Sequence, residues 1–159
     1  MSEPRTVPVA CDGGDMTMHV WTPASGAGPG LLLIQEIFGV GAYIRAVAAR
    51  LADAGYMVGA PEVFWRFAPG WAANHDQDGL EASLAQVGNL DAGAAVADCT
   101  AALGTLARLD AATGTPGVIG FCLGGTLAWG VATAGEPAVC VSYYGSGVPD
   151  MLGGIDAVG

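Results

Sequence analysis

The run Gly120-Phe121-Cys122-Leu123-Gly124-Gly125 sets a cysteine between glycines two residues before and two after it. An apolar β-type pair, Val118-Ile119, precedes the run, and a helical pattern, Thr126-Leu127-Ala128-Trp129, follows it. This is the pattern of a strand-to-helix elbow, G-x-S-x-G with Cys in place of Ser. Gly120 and Gly124 permit the tight turn, where a Cβ would clash across it, and the turn presents Cys122 alone at a helix N-terminus. There the helix dipole favours thiolate, the nucleophilic form of cysteine. With 26 glycines and 4 cysteines in 159 residues, a cysteine so flanked should arise by chance only about 0.1 times. The plain alternative is an inert cysteine buried in a glycine-rich turn.

A second segment, Gln35-Glu36-Ile37-Phe38-Gly39, directly follows the apolar run Leu31-Leu32-Leu33-Ile34. In hydrolytic sites built on such an elbow, the loop after that strand supplies one backbone N–H of the oxyanion hole. Ile37 is the candidate donor, and the Leu123 N–H is the other. Glu36 then lies close to Cys122 as a carboxylate; taken alone, it would read as a solvated loop acid. A redox role for Cys122 is a weaker alternative, since no CxxC partner accompanies it. The two histidines, His19 on an alternating apolar-polar stretch and His75 in an aromatic-rich loop, read as surface or structural residues. His75 would be the first base to test if the chain turned over alone.

Several elements must hold these residues. Met16, Met18 and Val20 alternate with Thr17 and His19, the period of a half-buried strand, and Asp12-Gly13-Gly14-Asp15 before them is a hairpin turn. Residues 31–34 form a continuous apolar run, as in a strand buried on both faces. Residues 43–54 read as an amphipathic helix closed by Gly55, and residues 57–60 as a short strand. An aromatic-rich loop over 62–78 precedes helices at 80–87 and 90–109. A strand at 117–121, a helix at 125–134 and a strand at 138–144 follow. Strands alternating with helices from residue 31 onward predict an α/β fold, a mainly parallel sheet with helices on both faces.

Composition narrows the partners. The formal charge of −10, with five arginines as the only strongly basic residues, argues against nucleic acid or an anionic membrane surface. The stretch 111–135 has no charged residue and is formally long enough to span a bilayer. The five glycines between Gly117 and Gly130 and the interrupting threonines favour a buried strand, turn and helix instead. Met1-Ser2-Glu3-Pro4-Arg5 shows no secretory signal. Cys11, Cys99, Cys122 and Cys140 form no CxxC pair and have no histidine at zinc spacing,. The cytoplasm is the expected compartment.

Gln35-Glu36-Ile37-Phe38-Gly39, Ala52-Asp53-Ala54-Gly55-Tyr56 leading into Pro61-Glu62, Gly120-Phe121-Cys122-Leu123-Gly124-Gly125 and Tyr143-Tyr144-Gly145 resemble, in order and spacing, the dienelactone hydrolase family. The resemblance runs over nearly the whole chain. It implies an α/β-hydrolase fold, a nucleophile at Cys122, and Glu36 as the carboxylate that assists thiolate formation when substrate arrives. It also implies small-molecule esters or lactones of organic acids as substrates, with no metal or organic cofactor. The family's triad continues with an Asp and a His beyond the last strand present here; Asp150 and Asp156 come too early to match that Asp. The expectation is therefore a single α/β-hydrolase domain over residues 1–159 that lacks its C-terminal strands. Its exposed sheet edge would invite self-association or pairing with a C-terminal complement. Where dienelactone-cleaving members carry Arg and Tyr against the substrate carboxylate, an ungapped match places Leu80 and Leu84, implying a substrate without that group. A catalytically incomplete domain serving as a binding or assembly module is the alternative.

Overall fold

Apolar residues with period 2 in the strands and about 3.6 in the helices require two buried layers, one on each side of a sheet. A computed structural model describes residues 4–157; the start of the N-terminal stretch inspected for a signal, and the terminal Gly159, lie outside the described residues. The strands are β1 (Arg5–Cys11), β2 (Gly14–Trp21), β3 (Gly28–Ile34), β4 (Met57–Pro61), β5 (Ala112–Phe121) and β6 (Cys140–Tyr143). The helices are α1 (Ala42–Asp53), α2 (Gln77–Val87), α3 (Ala92–Ala107) and α4 (Leu123–Ala134). The sheet runs β1-β2-β4-β3-β5-β6. β4, β3, β5 and β6 are parallel neighbours, and the β1–β2 hairpin joins β4 antiparallel. The sheet is mixed, and its central part is parallel.

The two layers show in single strands. Leu32 and Ile34 of β3 pack with α3 and α4 residues Cys99, Leu103, Leu106, Leu127 and Val131. Leu33, between them, packs on the opposite face with Ile44, Val47 and Ala48 of α1. Adjacent β-residues point to opposite faces, so a strand buried on both sides needs an unbroken apolar run. The uncharged stretch 111–135 is accounted for in the same way, as β5, a turn and α4. No helix among the described residues is long and apolar enough to cross a membrane.

Several boundaries differ from those expected. β5 starts at Ala112 because Ala112 and Thr113 already pair with Gly28 and Pro29, with a bulge before the pairing resumes at Gly117. α4 starts at Leu123, directly after the cysteine. α2 starts at Gln77 because Asp76 caps it, its side chain accepting from the Gly79 N–H at 2.8 Å,. Beyond β6 the chain forms a 3-10 helix, Val148–Ala157, and Trp129 Nε1 ties it to α4 by donating to the Met151 carbonyl.

Candidate active site

β3, β5 and β6 are adjacent parallel strands in register: Ile34 lies opposite Gly120, and Phe121 opposite Tyr143. Their carboxyl ends therefore coincide. Glu36 stands two residues beyond β3, Cys122 one residue beyond β5 and Tyr144 one residue beyond β6. Open α/β sheets form ligand sites at this edge.

Cys122 occupies a strained backbone conformation, φ 55° and ψ −118°. Such a conformation persists only where the surroundings impose it. Its N–H donates to the Tyr143 carbonyl at 3.0 Å, and its carbonyl accepts from Gly125 and Thr126, so the turn is clamped on both sides. The glycines are steric requirements. A Cβ on Gly120 would fall on the Gly124 carbonyl, and one on Gly124 on the carbonyl oxygens of Ile34 and Gln35. The second contact seats the elbow directly against the end of β3, beside the loop that carries Glu36.

That loop is a tight turn. The Gly39 N–H donates to the Glu36 carbonyl at 3.2 Å, with Ile37 and Phe38 between. Among the described residues the N–H groups of Ile37 and Leu123 have no backbone partner. Gln35, only 2% exposed, fixes the turn from inside: its Oε1 accepts from the Val63 N–H and its Nε2 donates to the Glu36 carbonyl.

Both oxygens of the buried Glu36 carboxylate are engaged. Oε1 accepts from the Tyr144 hydroxyl at 3.0 Å, and Oε2 lies 2.8 Å from His75 Nε2. Tyr144 has a positive φ of 43°, a second local strain at the same edge. Loss of hydration around its hydroxyl pushes that group up to about 12, and the hydrogen bond and charge of Glu36 add to the shift. Repulsion from Tyr43 and Cys122 adds the smallest contributions. Phe38, Tyr43, Phe121 and Tyr143 ring the site with successive aromatic contacts.

Sequence reasoning paired neither His75, read as surface or structural and as a fallback base, nor Tyr144 with Glu36. Tyr144 stood in a recognised motif without a function attached. His75 carried no spacing signal, and it arrives through a strap: the Ala73 N–H donates to the Phe38 carbonyl at 3.0 Å, and Ala72 bridges Gly39. His19 instead pairs with Glu62 at 2.8 Å, and Glu62 also accepts from the Gly70 N–H. That pair is structural and closes the aromatic loop. Neither histidine hydrogen-bonds Cys122 among the described residues.

Residues 16–157 match the model of the dienelactone hydrolase family. A carboxymethylenebutenolidase from Pseudomonas sp. strain P51 is 37% identical over 141 residues, covering 88% of this chain and 59% of that protein. One from Pseudomonas putida is 35% identical over 142 residues, covering 89% of this chain and 60% of the relative. The crystal structure of a dienelactone hydrolase from Anabaena variabilis superposes with a TM-score of 0.62 over 87% of this chain and 61% of that one. Its 20% identity bears on the fold alone. The chain thus spans about 60% of the length of these curated relatives.

Proposed function

Since this chain belongs to the dienelactone hydrolase family, we propose that it works on carboxylic ester or lactone bonds of small organic acids, with Cys122 as nucleophile. Cys122 Sγ attacks the acyl carbon, and the alkoxide or the opened lactone oxygen leaves with a proton. Glu36 is the carboxylate that assists thiolate formation. The unpartnered N–H groups of Ile37 and Leu123 receive the oxygen that becomes negative in the tetrahedral intermediate. The observation that carries this reading is the strained Cys122 backbone, locked between β5 and α4 beside the end of β3. Strain at one reactive side chain, imposed by glycines that admit no Cβ, is what an exposed nucleophile requires and a packing cysteine does not.

The substrate class rests on the family resemblance. At the positions where dienelactone-cleaving members carry Arg and Tyr against the substrate carboxylate, this chain has Leu80 and Leu84, four residues apart on α2 and both exposed,. Such a pair offers nothing to a substrate carboxylate, which favours neutral esters and lactones.

Hydrolysis of a thioester at Cys122 needs a base to activate water. Both histidines of this chain are engaged by glutamates. A neutral activated ester, p-nitrophenyl acetate, should therefore give about one equivalent of p-nitrophenol and then little turnover, with acetyl carried on Cys122. Cys122→Ala should abolish the burst. A burst that survives in Cys122→Ala would overturn the reading, and no burst from the folded wild-type chain would favour a binding module.

A further inference from the structure

We infer that His75 is a positioning residue that acts through Glu36, cancelling the carboxylate's charge so that the Cys122 thiolate can form. The inference rests on the reading of Cys122 as nucleophile and deepens it.

The geometry is specific. His75 Nε2 sits 2.8 Å from Glu36 Oε2, and its side chain is 46% exposed where that of Glu36 is 10% exposed. The imidazole lies against Phe38, with ring centroids 4.1 Å apart, and meets Tyr43 edge-on at 5.5 Å. The Ala73–Phe38 hydrogen bond fixes the backbone two residues before it. The imidazole thus reaches solvent while the carboxylate it pairs with does not, so the pair exchanges protons with water through His75. Among the described residues it is the only basic side chain paired with Glu36.

Other groups facing this corner give no compensating positive charge. Tyr43 comes from α1 and Tyr144 from the end of β6, and both are phenols. Cys122 comes from the elbow. Asp76, next in the chain, turns its carboxylate to the Gly79 N–H as the cap of α2. With His75 protonated, Glu36 belongs to an ion pair, and its negative charge is balanced. With His75 neutral, the Glu36 charge is unbalanced and opposes a second negative charge on the thiol, so the assistance assigned to Glu36 is available only to the paired carboxylate. Protonated His75 thus favours the thiolate, and the benefit is lost with the imidazole's proton.

The test follows alkylation of the Cys122 peptide by iodoacetamide, read by mass spectrometry from pH 5 to 10 on the 159-residue chain. The wild type should show a two-step profile, with an acid-side shoulder from the protonated-His75 form. His75→Gln keeps a hydrogen-bond donor but cannot become charged. It should give a single step and a Cys122 rate at pH 6 lower by about five- to tenfold, close to one pKa unit. In Glu36→Gln, adding His75→Gln should change nothing further, because the carboxylate it works through is gone. A one-step profile in the wild type itself overturns the inference without any variant. So does an unchanged shoulder in His75→Gln, or an equal drop in the Glu36→Gln background. Alkylation falling chiefly on another cysteine would instead overturn the nucleophile reading.

Discussion

At the scale of single residues, one chain places four thiols in four environments. Burial and then Asp98 push the Cys11 thiol up to about 11. Burial raises Cys140, and it raises the fully enclosed Cys99 furthest. A thiol held high has little thiolate at neutral pH, and thiolate is the species that alkylates. Limiting iodoacetamide at pH 7 should therefore label Cys122 first, with Cys11 appearing only as pH approaches 10; peptide mapping that finds Cys11 labelled first would remove the argument. The elbow was legible in the sequence because its chemistry is local: glycines at fixed offsets are needed wherever backbone oxygens close on a turn. The Glu36–His75 contact was not, because it depends on where residues 71–75 cross the turn after β3, which no spacing encodes.

At the scale of elements, the aromatic loop is held by contacts that its composition did not announce. Asp98 of α3 is 4% exposed and takes three hydrogen bonds from that loop: Trp65 Nε1 at 2.9 Å, Arg66 Nε at 3.0 Å and Arg66 Nη2 at 2.8 Å. Arg66 also lies over the Trp65 ring and donates Nη1 to the Asp12 carbonyl in the β1–β2 turn. One buried carboxylate thus ties the loop to α3, and Arg66 extends the tie to the hairpin. Sequence periodicity marks which faces of α3 are apolar, but it gives no reason for an Asp on the inner face until the arginine's position is known. Asp98→Ala removes the acceptor of three hydrogen bonds from the loop and should lower stability, although Arg66, one-third exposed, keeps its solvation,. It also removes the carboxylate that raises Cys11, so Cys11 should alkylate faster in the variant. Urea unfolding and thiol mapping on the same sample check both effects; a stability loss under about 0.5 kcal/mol would mark the cluster as a surface ion pair in energetic terms.

At the scale of the whole molecule, strand-helix alternation made the layers legible. The sheet order was not, because β4 comes to lie between β2 and β3 only after the chain has crossed over through α1. Among the described residues β6 is paired on one side only, with β5. Val141 and Tyr143 are exposed along it, and Val139 is exposed just before it. Unpaired strand N–H and C=O groups beside exposed β-branched and aromatic side chains form a template for another strand. In a solution of the 159-residue chain a second copy is always present, so we propose that this chain taken alone self-associates edge to edge through β6,. Two forces then compete. Each added backbone hydrogen bond contributes roughly 1 kcal/mol, while two chains of charge −10 repel until salt shortens the Debye length to about 8 Å near 0.15 M. Association should accordingly strengthen from 20 to 300 mM NaCl, opposite to a contact made by ion pairs. Val141→Lys places a charge on the edge while bringing the net charge closer to zero, so any loss of association in it reflects a blocked edge and not added repulsion. Sedimentation velocity should show the wild type shifting to larger species with salt and Val141→Lys staying monomeric; a wild type monomeric at every salt concentration, or a variant that associates equally, would mean that β6 does not recruit a second chain.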